Sequence, residues 1–504
     1  MRVLITTLNS KYIHSNLALK YLYASAGDNS RCIELKEFTI NNDEDYIFTE
    51  IMRNKYDAIC FSCYVWNIER ILSLAENIKK ANWKTRIVVG GPEVSFETVE
   101  FLKSNPFIDI VISGEGEKPF AELIEALKTA DSEFESIKGL TYRSLGKIYV
   151  NPKTEPMPMS EIPFPYLTLP IEEDKVLYYE STRGCPYRCS YCLSSVEKTM
   201  RSLDMGRVKC ELDYFIFKKV RQVKFVDRTF NWDRNRAYEL FSYMIGNDNG
   251  VTNFHMELCA ELIDESLLQL LRSARKGLFQ FEIGVQSVNP RTLEAVDRHS
   301  EFEKVQYAVQ KLIAMGNAHI HLDLIAGLPH EDYASFRNSF NKVYALLADN
   351  LQLGFLKLLK GTPIRSQVEE FRYLYREKAP YEFISNAFMS SEEVVKLKMV
   401  ENILDLYYNK GGFRDTLAFT TIFLAESPYH FYEEFANFFY LKGYQHRSHK
   451  KEDLYRIFLD YATWKERHQN GVLDKIQELL SSDMDSYLNV EAVKKFKGKG
   501  WGIH

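Results

Sequence analysis

The sequence predicts an α/β chain in three parts: an open, doubly wound parallel sheet, a partial parallel barrel of six βα units, and a helical C-terminal domain. Three observations predict it. Short Val- and Ile-rich runs alternate with amphipathic stretches through residues 1–135, and a second alternation on a longer spacing fills 176–365. The segment 151–170, with six of the chain's 15 prolines, separates the two series. Beyond about 380 only helical periodicity remains.

A chain of 504 residues suits about three domains of ordinary size. Its 45% hydrophobic and 26% charged residues are a globular composition. A net charge of −5 and a pI near 6.2 exclude a bulk electrostatic case for nucleic acid. The N-terminal MRVLITTLNSKYIHSNLALK lacks the basic-then-apolar order of a secretory signal. No apolar run approaches the roughly 20 residues of a membrane span, so a cytoplasmic protein without a membrane partner is expected. There, clustered cysteines are metal ligands or redox groups rather than disulfides.

In the first domain (1–135), RVLITT (2–7), RCIELKEF (31–38), YDAICFS (56–62), RIVVGG (86–91) and DIVISG (109–114) read as strands. Their nearly continuous hydrophobicity fits parallel strands covered on both faces. NIERILSLAENIKKA (67–81) places Ile68, Ile71, Leu72, Leu74 and Ala75 on one helical stripe. The result is a flavodoxin-like sheet, whose ligands bind beyond the carboxyl ends of its strands. Those ends hold Thr7, Leu8, Asn9 and Ser10, then Ser62, Tyr64 and Trp66, then Gly90, Gly91, Pro92 and Glu93, then Gly114, Glu115, Gly116 and Glu117. Glycines there admit close backbone approach, and each following helix offers free N–H groups. Four such loops on one rim point to a large ligand lying across the sheet.

Residues 136–175 read as a small hairpin, GLTYRSLGKIYVN (139–151), and a stiff proline-rich linker. The barrel (176–365) has candidate strands VLYYEST (176–182), VKFVD (223–227), FHMEL (254–258), FQFEIGVQ (279–286), HIHLDLIAGL (319–328) and LQLGFLKLL (351–359). Catalytic groups of such a barrel sit at the C-terminal mouth of its strands. The last part (366–504) reads as helical, with SEEVVKLKMVENILDLYY (391–408), SPYHFYEEFANFFYLKGY (427–444) and KEDLYRIFLDYATWKERH (451–468).

The first barrel strand runs into RGCPYRCSYC (183–192), which holds three of the chain's eight cysteines as C-x3-C-x2-C. Three thiolates on one loop can bind three irons of a cubane cluster and leave the fourth iron without a protein ligand. Zinc would usually show a second C-x2-C or a His pair, and neither follows at zinc-like spacing. Cys185, Cys189 and Cys192 are therefore the metal ligands expected here.

This loop resembles the C-x3-C-x-Φ-C motif of the radical S-adenosylmethionine (SAM) superfamily, with Tyr191 as the aromatic. VDRTFN (226–231), FHMELCAEL (254–262), FEIGVQSVNPRTL (281–293) and HLDLIAGLPHED (321–332) resemble its later strand-end stretches in order. The resemblance implies a [4Fe–4S] cluster that binds SAM through its open iron and cleaves it to a 5′-deoxyadenosyl radical. It also implies SAM contacts at Tyr191, Asp227, Glu257, Glu282, Gln286 and Ser287. Glu257 as a rim ion-pair partner and Asp227 as a helix cap are the plain alternatives.

The doubly wound domain ahead of this barrel, with VVGGPEVS and SGEGEKPF on its rim, resembles the cobalamin-binding (B12-binding) class of the superfamily. That implies cobalamin on the rim residues named above, with Tyr64 and Trp66 near the lower corrin face. The D-x-H-x-x-G sequence of methionine-synthase-like domains is missing, so no histidine is expected on cobalt, and His14 is read as a helix-start residue. The implied function is anaerobic methyl transfer from SAM and methylcobalamin to an unactivated carbon of an unknown substrate. A flavodoxin or ferredoxin would supply electrons.

The alternatives are a non-methylating cobalamin radical SAM rearrangement or cyclisation, an RNA-modifying methylthiotransferase, and a corrin- or cluster-binding sensor without turnover. The methylthiotransferase would need a second cluster on Cys32, Cys60 and Cys63, but Cys32 and Cys60 are expected inside strands two and three. Gln352, Lys357 and Lys360 on the sixth strand are candidates for facing a substrate, and the KKFKGKGWGIH tail (494–504) for touching nucleic acid. No general acid or base is named by the sequence.

Overall fold

The computed structural model describes residues 1–129, 133–197, 199–465 and 471–489, with 491 and 493; the KKFKGKGWGIH tail lies outside them. The first domain supplies β1 (Val3–Asn9), β2 (Ile33–Thr39), β3 (Ala58–Ser62), β4 (Arg86–Gly90) and β5 (Ile110–Ile112). They pair in parallel in the order β2-β1-β3-β4-β5, the flavodoxin-like order. Every residue of β1, β3 and β5 is buried. Helices Glu44–Met52, Ile68–Ala81 and Thr98–Ser104 cover one face, and Leu17–Ser25 and Glu117–Ala126 the other.

The hairpin, read from the sequence as lying outside the first domain, joins that domain's sheet. Its strands β6 (Leu140–Ser144) and β7 (Lys147–Val150) extend the same sheet antiparallel to β5. Leu145 and Gly146 take φ of 47° and 75°, the two successive positive values of a tight hairpin turn.

The barrel is a six-stranded parallel sheet in the order β15-β14-β13-β12-β11-β8. Its strands are β8 (Leu177–Tyr179), β11 (Gln222–Phe225), β12 (Asn253–Glu257), β13 (Phe279–Gln286), β14 (His319–Ala326) and β15 (Asn350–Phe355). The expected first strand, 176–182, breaks after Tyr179. Its end becomes β9 (Thr182–Arg183), which turns away to pair antiparallel with β10 (Arg201–Ser202). Burial alternates strictly along β13, with Phe279, Phe281, Ile283 and Val285 against the helices and Gln280, Glu282, Gly284 and Gln286 toward the lumen.

The helical part opens with a short antiparallel pair, β16 (Leu374–Tyr375) and β17 (Phe383–Ser385), where the sequence suggested no strand beyond 380. Helix Ser391–Leu404 then passes into a π-helical turn, Asp405–Asn409. One apolar core runs from β14 and β15 through Leu404, Tyr407, Phe435 and Phe458, so barrel and helices form one packed body rather than two.

The outer edge of β15 is met by Asn409, whose side chain accepts from Leu351 N (2.9 Å) and donates to Leu351 O (3.0 Å). The π turn thus gives an edge residue the two bonds a further strand would give. We predict that Asn409→Ala lowers unfolding free energy by about 1–3 kcal/mol, since it strands two backbone groups. Urea denaturation of the two proteins checks this.

Candidate active site

The three cysteines lie on the loop that hangs from the β9–β10 ribbon. Gly184 has φ of 92°, and a Cβ there would stand 2.5 Å from Thr199 O, so only glycine lets the loop close. Cys192 N bonds Cys189 O (3.0 Å), while Ser190 is pinned on both sides, by Val296 O (2.9 Å) and Ile364 N (3.0 Å). Cys189 is 6% exposed, and Arg298 Nη1 points at its sulfur from 3.8 Å. The Cys185 sulfur lies 3.7 Å from Thr229 Oγ1. Burial, and more weakly the neighbouring Cys192 and Cys189, push the Cys185 thiol up, as three thiols in one neighbourhood should. Among the described residues no group of three or more His, Cys, Asp or Glu side chains is placed to hold a single metal ion. A fourth sulfur, Cys259, accepts from Tyr187 Oη at 3.0 Å.

Beside the cysteines the lumen has two tiers. In the lower, Glu282 is paired with Lys224 (3.0 Å) and His255 (3.2 Å), which hold its carboxyl near 2. In the upper, β13 bulges between Gly284 and Gln286 in its register with β14. Gln286 has φ of 69°, and its amide folds over Gly284, where a Cβ would collide at 2.2 Å. Gln286 Oε1 and Arg298 Nε are buried without partners. Asp323 stands opposite Gly284, and burial with the nearby Glu282 and Glu257 raises its carboxyl to about 8. Burial raises Glu257 to about 6, with Arg228 3.9 Å away.

The remaining residues assigned to SAM are engaged by protein. Asp227, 1% exposed, accepts from Ser181 N (2.7 Å), Ser181 Oγ (2.5 Å) and Thr182 Oγ1 (2.8 Å), fixing the bend between β8 and β9. It is not a helix cap, since Asp233 caps Arg234–Gly246. Ser287 donates to Glu331 (2.6 Å), tying the GVQS stretch to the GLPHE stretch. Tyr191 packs beside Cys189 and Arg298.

The rim of the first domain faces this mouth. Thr7 Oγ1 donates to Ser62 O (2.8 Å), and Asn67 Nδ2 reaches Thr7, Leu8 O and Ser62 O at 3.1–3.2 Å, joining the β1 and β3 loops. Asn9 donates to His14 O (3.0 Å), and Ser10 is half-buried at the strand end. Tyr64 and Trp66 stack at 4.4 Å and 6°, with Trp66 46% exposed. A Cβ at Gly91 would stand 2.6 Å from Cys63 O; Gly90 O accepts from Cys63 N; Pro92 is exposed. Gly114, with φ of 80°, is exposed and open, and Gly116 begins the next helix.

The rim acids point into protein instead. Glu93 is bound by Lys360 (3.1 Å) and Tyr381, and Glu115 and Glu117 by Arg183. Lys360 therefore is not free to face a substrate; Lys357, beyond the end of β15, is exposed, and its backbone forms an isolated β-bridge with Glu382; Gln352 is exposed as well. His14 precedes the helix cap, which is Asn16, and its Nδ1 bonds Tyr178 Oη at 2.8 Å. Cys32 ends a 3-10 turn before β2, and Cys60 and Cys63 belong to cores on opposite faces of the sheet. These three thiols cannot share a second cluster.

Family models match in three stretches: a B12 binding domain over 3–124, the radical SAM superfamily over 179–343, and a protein of unknown function (DUF4080) over 369–499. The chain joins a B12-binding domain to a radical SAM domain. Cobalamin belongs to the first, and a [4Fe–4S] cluster with SAM to the second. This B12-binding radical SAM chain is 25% identical over 363 residues to the cobalamin-dependent radical SAM methyltransferase TokK of Streptomyces tokunonensis, covering 68% of this chain and 53% of TokK. It is also 25% identical over 338 residues to the anaerobic magnesium-protoporphyrin IX monomethyl ester cyclase of Rubrivivax gelatinosus, covering 63% and 59%. The chain thus spans little more than half the length of these relatives. The solved structure of the cobalamin-dependent SAM radical enzyme OxsB, with aqua-cobalamin and SAM bound, shares the fold: TM-score 0.62, 15% identity, 99% of this chain and 84% of that one. No helix among the described residues is long and apolar enough to cross a membrane.

Sequence reasoning missed Arg298, Asp323 and Asn67. Asp323 lay in the quoted HLDLIAGLPHED stretch, and its lumen-facing parity on β14 was the available signal.

Two outcomes follow from this geometry. Gly184→Ala should sharply reduce iron and sulfide bound on anaerobic reconstitution, read by elemental analysis, while β1–β5 folds as before by circular dichroism. Glu282 has a depressed folded pKa, so its stabilisation is full above the ordinary carboxyl value of 4.5 and is lost as pH falls toward 2. The stability advantage of wild type over Glu282→Gln, measured by denaturant titration, should shrink across that window.

Proposed function

We propose that this chain is a cobalamin-dependent radical SAM methyltransferase acting on an unactivated carbon of an unidentified substrate. It works in an oxygen-free cytoplasm with a flavodoxin- or ferredoxin-like reductant. The observation that carries this reading is the facing of two sites: a polar pocket with unpartnered groups beside Cys189, and the glycine-lined rim of the B12-binding domain. The TokK similarity supports methyl transfer as the outcome. When bound, the cluster and SAM supply a 5′-deoxyadenosyl radical, and cobalamin supplies a transferable methyl group.

In this reading Cys185, Cys189 and Cys192 hold the cluster and leave one iron open. Gln286, Glu257, Arg298 and Asp323 hold SAM, whose ammonium, carboxylate and hydroxyls match their unpaired acceptors and donors, and Tyr191 walls the pocket. Asp323, kept protonated at pH 7 by burial, donates there. Asp227, Glu282 and Ser287 position strands rather than touch SAM. Gly90, Gly91, Gly114 and Gly116 offer backbone to cobalamin, with Thr7, Leu8, Asn9, Ser10, Ser62 and Pro92 shaping the rim and Tyr64–Trp66 as an aromatic shelf. Glu93, Glu115 and Glu117 support it from below.

A second reading, ring formation without methyl transfer, rests on the comparable similarity to the cyclase. Anaerobically reconstituted and reduced protein should form 5′-deoxyadenosine from SAM and show corrin absorbance with micromolar hydroxocobalamin. Cys185→Ala should lose the first and keep the second. Corrin binding absent at that concentration, or 5′-deoxyadenosine absent across a panel of reductants with the cluster intact, would sink the proposal. Once a substrate is found, a product heavier by one methylene marks methyl transfer, and any other mass change marks the second reading.

A further inference from the structure

The cluster loop is tied to the B12 rim by charge. Arg183, one residue before Gly184, reaches Glu115 (3.1 Å) and Glu117 on the rim and Glu180 (2.9 Å) in the break between β8 and β9. Its guanidinium also sits 5.6 Å from the Tyr21 ring on helix Leu17–Ser25. Arg201, its register partner across the ribbon, closes on the same Glu115 and on Glu197. Glu115 accepts in addition from Met157 N (2.8 Å). The ribbon has only two residue pairs, too few to hold its own shape. Thr182 ties β9 back to Asp227 of the barrel (2.8 Å), and the two arginines tie the start and end of the cysteine loop to the rim.

From Glu115 the connection continues across the rim. Gly114 N donates to Ser95 Oγ (3.3 Å), Ser95 Oγ donates to Gly91 O (2.9 Å), and Glu93 binds Lys360 and Tyr381 beyond β15. The backbone offered to a corrin is therefore part of the same bonded chain as the cluster loop.

We propose, building on the cobalamin–cluster assignment, that Arg183 and Arg201 are positioning residues that make the two cofactor sites bind interdependently. A corrin that fixes Gly114–Glu117 fixes the carboxylates that hold the cysteine loop, and a loaded loop fixes the rim in return. Such coupling is reciprocal and typically amounts to about 5–150-fold in affinity. Lysine at either position keeps the charge and loses the planar fork that serves several carboxylates together.

The test uses the full chain. Hydroxocobalamin affinity, read by corrin absorbance, is measured in cluster-free protein and in cluster-loaded, SAM-saturated protein. Wild type should bind at least about 5-fold more tightly when loaded. Arg183→Lys, or Arg201→Lys where the first folds poorly, should bring that ratio close to one with cluster iron retained. A ratio near one in wild type, or one unchanged in the variants, overturns the coupling. No corrin absorbance in wild type instead overturns the cobalamin assignment. The clamp is then still read in cofactor-free protein, where amides of 184–197 should exchange faster in either variant while β1 and β3 are unaffected. Unchanged exchange overturns the clamp itself.

Discussion

A six-stranded parallel sheet that stops short of closing has two open edges, and the molecule is arranged around covering both. Exposed strand edges invite unwanted pairing, and a lumen open at the side admits water. The first domain covers the β8 edge: His14 bridges to Val176, Ser15 Oγ donates to Val176 O (2.9 Å), and Arg183 binds the rim acids. The helical part covers the β15 edge through Asn409, while Glu93 of the rim reaches Lys360 just beyond that strand. Closing the barrel and facing the two cofactor domains are one structural act.

The ion network at that seam is a device for geometry more than for stability. Largely buried ion pairs repay little beyond their desolvation, and removing one partner is costly. Arg183 is 10% exposed among three carboxylates, and burial with the neighbouring Glu117 helps push Glu180 up to about 7. An arginine can serve several carboxylates because its five donors lie in a fixed plane. What is gained is a fixed start for the cysteine loop.

The parts legible in the sequence are those whose signal is local. The cysteine spacing, the rim glycines and the parallel-strand runs each declare themselves within ten residues. What was illegible depends on distant partners. Arg298 meets Cys189 across 109 residues, Asn409 meets Leu351 across 58, and Asn67 reaches Thr7 across 60. The hairpin reads as separate from the first domain because its antiparallel pairing with β5 has no local mark. Asp227 and Ser287 likewise spend their oxygens on partners distant in the chain, Ser181, Thr182 and Glu331.

The lumen explains why so many polar side chains point into a barrel. Lower down, the Glu282 charge is met in place: Lys224 pairs with it, His255, its pKa lowered by burial, hydrogen-bonds it, and burial lowers His321 to about 4. Above it, Gly284 removes a side chain, Gln286 turns back through a positive φ, and Asp323 is desolvated; Glu257, level with Glu282 in the strand register, is desolvated too, with Arg228 3.9 Å away. Buried groups left this way cost stability unless something binds them. The paired tier is a floor that needs nothing further. The less-paired tier lies at the end of the strands next to the cysteines, where a polar, zwitterionic ligand would satisfy it and regain the stability forgone there.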